Sequence, residues 1–192
     1  MTEIEIRGKL SPRDFIRLFD FFQKEGKLKD HYRRLSADIS PGLDEKTRKW
    51  NNPSKRDIRI KKSDDKEKIS IKIGYFADKE REEIEVKLQP GEFLKALALF
   101  EALGFQSGMI YYWESWEFEY KNFEIKLSKH TKDYYTFEIE AERGHDPDLL
   151  ASELSLHPWS EKEYRKEIVW QNRNIYKIYK KSVAKKMLRK LF

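Results

Sequence analysis

Apolar and polar residues alternate over much of this chain. "TEIEIRGKL", "HYRRLSADIS", "RDIRIKK", "EKISIKIGYF", "REEIEVKL", "MIYYWESWEFEYK", "NFEIKLSK" and "DYYTFEIEAE" all show the pattern. A two-residue period belongs to a strand whose faces meet different surroundings, so about eight strands are predicted. The segments between them, "SPGLDEK", "KSDDKEK", "FADKE", "YKNF" and "KHTKD", are polar and carry turn-forming Asn, Asp, Gly or Pro.

Two of these strands lead into a helical period. After the first, Ser11 is placed to cap, Pro12 falls in the first turn and Gly26 ends the segment. Phe15, Leu18, Phe19 and Phe22 form its apolar stripe. After the strand at 82–88, Pro90 and Gly104 bracket Phe93, Leu94, Leu97, Phe100 and Leu103. Strand, proline and helix therefore recur: "TEIEIRGKLSPRDFIRLFDFF" is matched by "EEIEVKLQPGEFLKALALFEALGF". Such a repeat marks a duplication or a pseudo-symmetric fold. Residues 41–56 are expected to form a long loop. From Asp146 onward the pattern changes to a short helix, a turn and a basic helical segment. The expected organisation is a strand-rich domain over 1–145 and a helical extension over 146–192.

Alternation also sorts the charges. One face collects Glu3, Glu5 and Arg7; Arg34, Ser36 and Asp38; Arg59 and Lys61; Ser70 and Lys72; Glu83, Glu85 and Lys87; Glu117 and Glu119; Glu124, Lys126 and Ser128; and Glu138 and Glu140. The opposite face is built mainly from Ile, Val, Leu and Phe. An antiparallel sheet with one wet side accounts for this. So does a closed barrel, because eight strands suffice to enclose side chains or one small ligand. With helices over the apolar face, the charges line the interior. The expected class is then α+β, an eight-stranded antiparallel β-barrel with flanking helices and a C-terminal helix.

Composition narrows the chemistry. Charged residues make up 39% of the 192, above the roughly 25% of an average domain, yet 12 Phe, 10 Tyr and 5 Trp supply a core. With no cysteine, disulfides, thiolate metal sites and a cysteine nucleophile are excluded. No apolar run reaches membrane-spanning length and "MTEIEIRGKL" lacks a signal-peptide core, so a cytoplasmic protein without membrane attachment is expected. Residues 161–192 hold eleven Lys or Arg against three Glu, a net +8, while the whole chain carries +6. Residues 1–160 therefore carry −2, and no general basic face is expected on the strand-rich domain. The tail is read as a packed terminal helix or a basic arm for nucleic acid or another acidic partner; a homodimer is a further possible state.

Carboxylates paired at two-residue spacing are hard oxygen ligands suited to Mg²⁺ or Mn²⁺. Arg and Lys on the "DIRIKK" and "ISIK" strands suit a polyphosphate. Together they point to a small molecule that carries a polyphosphate. The four histidines show no metal-ligand spacing and are assigned to the surface or to turns.

Five segments in order, "EIEIR", "DIRIKK", "ISIK", "REEIEV" followed by a helix and "LGF", and "YTFEIEAE", resemble the CYTH family over about residues 2–142. These proteins, also called triphosphate tunnel metalloenzymes, include class IV adenylyl cyclases, thiamine triphosphatases and inorganic triphosphatases. The resemblance implies an antiparallel tunnel with a basic side for triphosphate and an acidic side for metal. It implies Glu3, Glu5 and Arg7 as catalytic residues, with Arg7 where the family usually has Lys. Arg59, Lys61, Lys72, Lys87 and Arg34 become substrate contacts. Glu3, Glu5, Glu83, Glu85, Glu138 and Glu140 become metal ligands for Mg²⁺ or Mn²⁺. The chain departs from the pattern at "MIYYWESWEFEY", where two bases are usual, and at Ser128, where an aspartate is usual. Two readings follow: a metal-dependent triphosphatase or nucleotidyl cyclase, and a tunnel module that binds a nucleotide, polyphosphate or RNA end without turnover.

Overall fold

The computed structural model describes residues 4–51, 55–74, 82–131, 133–141 and 144–192. The elements run β1 (Ile4–Leu10), α1 (Pro12–Glu25), β2 (Lys27–Asp38), β3 (Leu43–Asp44), β4 (Lys49–Trp50), β5 (Arg56–Ser63), β6 (Lys66–Ile73) and β7 (Glu82–Leu88). They continue with α2 (Phe93–Ala102), β8 (Met109–Tyr120), β9 (Phe123–Thr131), β10 (Tyr134–Ala141), α3 (Pro147–Glu153), α4 (Glu161–Asn174), β11 (Lys177–Ile178) and α5 (Lys181–Leu191). The class is α+β, with nine strands in one sheet among the described residues and β3–β4 as a separate ribbon. No described helix is long and apolar enough to cross a membrane. Two compact units are present, residues 1–32 with 113–166 and residues 33–112 with 167–192.

In the first unit β1 pairs with β10, β10 with β9, and β9 with β8 from Glu114 onward, all antiparallel. The expected cap starts α1: the Asp14 N–H donates to Ser11 Oγ at 3.0 Å, worth about 1 kcal/mol. At the other end the Gly26 N–H donates to the Phe22 carbonyl. Leu18 and Phe22 are fully buried against Phe118, Ile125, Leu127, Phe137 and Ile139, with Leu150, Ala151 and Leu154 of the α3 region completing this core. Truncating Phe22 to Ala would cost about 3–5 kcal/mol. Gly8 is required by close approach, since a Cβ there would lie 2.5 Å from the Phe137 ring and the His157 carbonyl.

The second unit pairs β2, from Arg34, with β5, then β5 with β6 and β6 with β7, again antiparallel. Leu35, Ala37, Ile39, Ile58, Ile60 and Ile69 are buried beneath Phe93, Ala96, Leu97 and Phe100 of α2, together with Tyr179 and Ala184. The start of α2 is tied down from a distance. Glu67 accepts the Phe93 N–H at 2.6 Å and the Gly91 N–H at 3.1 Å, and its carboxylate also takes Lys62 at 2.9 Å.

Two expectations change. Inside the expected loop over 41–56, Asp44 accepts from the backbone N–H groups of Lys46 and Thr47 and from the Thr47 hydroxyl. That local network closes the short β3–β4 ribbon. The apolar face is also not covered everywhere among the described residues: Ile73, Ile84 and Val86 stay exposed, while Leu88 at the end of β7 packs against the core that α2 completes.

Candidate metal and phosphate sites

In the first unit, strand register assembles an acidic cluster. Glu5 lies opposite Glu140 and Arg7 opposite Glu138. Glu138 in turn lies opposite Lys126, which lies opposite Glu117. The two-residue period turns all of these side chains to one face. Glu5, Glu138 and Glu140 each offer a carboxylate oxygen within 4.8 Å of the others. Lys126 Nζ sits 3.4 Å from both Glu138 and Glu140 and 3.6 Å from Glu117. Arg7 pairs with Glu5 and donates to the Tyr164 hydroxyl, its guanidinium 4.8 Å above the Tyr164 ring centre. The Tyr32 hydroxyl donates to Glu117 at 2.7 Å.

Four carboxylates, Glu5, Glu117, Glu138 and Glu140, thus face two cations, Arg7 and Lys126, leaving a formal −2. Burial raises the Glu5 carboxyl to about 6, the charge of Glu138 adds to the shift, and Arg7 opposes it. Glu138 behaves differently: burial works to raise its carboxyl, but Lys126 and Arg7 outweigh this and hold it below the usual range. For Lys126 burial disfavours the ammonium, while Glu138 and Glu140 more than compensate and lift it above the usual lysine range.

His130, assigned from sequence to the surface or a turn, is instead part-buried in the same unit. Its Nε2 lies 3.0 Å from the Thr136 hydroxyl, its ring stacks on Trp113, and burial pushes its imidazole down to about 4, so it is neutral at pH 7. Lys129 pairs with Tyr135 and Thr131 with Tyr134, so His130 is the extra residue of a β-bulge.

The second unit gathers the bases. Lys61 is 8% exposed on β5. Burial pushes its ammonium down to about 7, and the charges of Arg59, Lys68 and Arg34 add to the effect while Glu83 opposes it. Arg34 Nε donates to Ser63 Oγ at 2.7 Å. Arg59 makes a two-pronged contact with Asp57, at 2.8 and 2.7 Å, and lies 3.9 Å from Asp38. Burial raises the Asp38 carboxyl to about 6, helped by Asp57 and opposed by Arg59 and Ser40. Burial also pushes the Tyr111 hydroxyl up to about 12.

Of the residues singled out from sequence, Glu5, Glu138 and Glu140 converge. Glu3 lies outside the described residues. Glu83 and Glu85 sit among the bases, Glu83 taking Ser70 at 2.6 Å and Lys72 at 3.3 Å and Glu85 pairing with Lys68. Lys87 is exposed, opposite Lys68 in register. Sequence reasoning passed over Lys126, Tyr164 and Asp57 as site residues. Asp57 was legible, two residues before Arg59 on the same face. Tyr164 gave no signal, since its role depends on where α4 packs.

No protein-family model matches the sequence, and no curated protein matches it. Solved structures do. A protein of Pyrococcus horikoshii aligns over 84% of this chain and 93% of its own, at 20% identity and a TM-score of 0.57. A candidate adenylate cyclase of Bacillus halodurans aligns over 83% and 95%, at 16% identity and 0.56. One of Vibrio parahaemolyticus aligns over 94% and 95%, at 12% identity and 0.51. The chain shares their fold. At the level of fold, the resemblance to the CYTH family read from the sequence is upheld.

Proposed function

We propose that the protein is a divalent-metal-dependent enzyme acting on a nucleoside or other organic triphosphate, as a triphosphatase or a nucleotidyl cyclase. The observation that carries this reading is the convergence of Glu5, Glu138 and Glu140 in a cluster whose fixed charges leave −2. Their donor chemistry fits a metal: three carboxylates, with no sulfur and no imidazole, match Mg²⁺ or Mn²⁺. Lys126 already keeps a cation among them, so positive charge at this place is stabilised. Glu5, Glu138 and Glu140 would hold the ion. A bound ion would polarise a phosphoryl oxygen.

The chain's own residues do the rest. Lys61, Arg59, Lys68 and Arg34 form a cationic group in which burial first, and repulsion from the other three second, disfavours the Lys61 ammonium. A polyphosphate relieves that repulsion, so such an anion is the natural occupant. Asp57 orients Arg59 for a bidentate contact, and Lys72 and Lys87 extend the basic strand faces. Arg7, fixed by Tyr164, holds Glu5 in place. The adenylate cyclase names of two proteins sharing the fold agree with this chemistry.

A second reading, binding without turnover, is favoured by the grip of Asp57 on Arg59, which offsets one of the expected phosphate contacts. Purified protein with Mg²⁺ or Mn²⁺ is to be assayed on ATP, GTP, thiamine triphosphate and tripolyphosphate for phosphate, pyrophosphate and cyclic product. Turnover lost in Glu5→Gln supports the enzyme. Calorimetric binding that survives chelation, with no product formed, supports the second reading. Neither turnover nor binding ends both.

A further inference from the structure

The basic tail supplies a surface that neither site uses. After Glu167 the chain has no Asp or Glu, and α5 carries Lys181, Lys185, Lys186, Arg189 and Lys190. The apolar side of α5 is spent within its own unit: Ala184 is buried, and Val183, Met187, Leu188 and Leu191 pack against the core. Lys181 reaches Glu101 at 3.6 Å. Lys185, Lys186, Arg189 and Lys190 are exposed and pair with no acid among the described residues.

Spacing arranges these four in two rows, Lys185 with Arg189 and Lys186 with Lys190. Each row advances about 6 Å along the helix axis. The macrodipole accounts for cations in the last turn, Arg189 and Lys190, but not for Lys185 and Lys186 before it. Docking on a bilayer needs an apolar flank beside the charges, and that of α5 is already packed. Phe192, beyond the helix, is a single ring, 40% exposed, with Arg33 and Lys62 over it at 5.4 and 5.1 Å. What remains on the outer side of α5 is a cationic face on which the helix itself places no acid, complementary to a continuous polyanion.

We infer that the outer face of α5 docks the phosphodiester backbone of a nucleic acid. The contact is electrostatic and independent of sequence. It is separate from the proposed triphosphate chemistry and does not rest on it.

The test is fluorescence anisotropy with a labelled single-stranded RNA of about 20 nucleotides, titrated from low to physiological salt. Wild type should bind in the range typical of non-specific contacts, a Kd of about 10⁻⁴–10⁻⁶ M at physiological salt. Replacing all four residues, Lys185→Gln, Lys186→Gln, Arg189→Gln and Lys190→Gln, should weaken binding at least about tenfold. The slope of log K against log salt should become shallower by about 3, at roughly 0.7 per lost phosphate contact. The helix should stay folded by circular dichroism, because none of the four packs inward. Should it not, the single changes Lys186→Gln and Arg189→Gln carry the test, each shifting the slope by about 0.7. The inference is overturned if wild type shows no saturable binding, if the substituted protein binds equally well, or if polyglutamate or phosphatidylserine vesicles bind as tightly as the RNA.

Discussion

β1 and β7 carry nearly the same string, "IEIR" and "IEVK", each followed by a proline and a helix, yet they end in opposite electrostatic settings. On β1, Glu5 faces Glu140 across β10, and acids accumulate. On β7, Glu83 faces Lys72 across β6 and Glu85 faces Ser70, with Lys68 reaching Glu85. Negative charge is concentrated in one unit and neutralised in the other. The motif is common to both; the neighbouring strand decides what it becomes. An acidic pair turns into a metal-ligand candidate only where register brings it another acidic pair.

The largest effect expected from this contrast is on turnover. Glu138→Ala should reduce metal-dependent turnover by on the order of 10²–10³, the scale of several kcal/mol of lost charge stabilisation. Glu85→Ala should change it less than about threefold, since an exposed pair with Lys68 contributes little. Equal losses in a steady-state assay would erase the distinction.

Next in size is a conversion. Lys72→Glu on β6 places a carboxylate opposite Glu83, copying the Glu5–Glu140 arrangement. It should lower stability by roughly 1 kcal/mol through like-charge pairing across the strands. Millimolar Mn²⁺ should restore part of the melting temperature in this variant and not in Lys72→Gln. No difference between the two in a thermal melt counts against register as the cause.

The basic unit makes a pH prediction of similar size. The Lys61 ammonium has been pushed down to about 7 from an ordinary value of 10.5. Between those values the unfolded chain holds a proton that the folded chain lacks, so stability rises with pH across this window. The penalty is fully present below about 7. Urea denaturation at pH 7 and pH 9 should show a gain of roughly 2 kcal/mol that is absent in Lys61→Met. Tripolyphosphate binding near pH 8 should take up a proton, read by calorimetry in buffers of different ionisation enthalpy. The smallest expected change is Asp57→Asn, which should raise KM for the triphosphate several-fold with kcat nearly unchanged, because Arg59 loses the carboxylate that orients it.

Period-two alternation was enough to read the eight long strands and the charged face, because burial on one side of a sheet imposes that pattern directly, and a helical period marked both repeat helices. Ser11 and Gly26 marked α1 for the same local reason. What the sequence withheld depends on distant partners. Glu67 caps α2 from another strand, Lys126 sits between acids from β8 and β10, and Tyr164 meets Arg7 across 157 positions. Treating Glu83 and Glu85 as equivalent to Glu5 shows the limit most clearly, since alternation assigns a face but not the strand alongside it.

A titration of Mn²⁺, followed by the loss of its free-ion paramagnetic resonance signal, tests the central claim most directly. It compares wild type, Glu5→Gln/Glu138→Gln and Glu83→Gln/Glu85→Gln. The expected result is a site present in wild type, kept in the β7 variant and weakened on the order of 10²-fold in the β1/β10 variant. A site that disappears with the β7 glutamates and survives loss of Glu5 and Glu138 would contradict it.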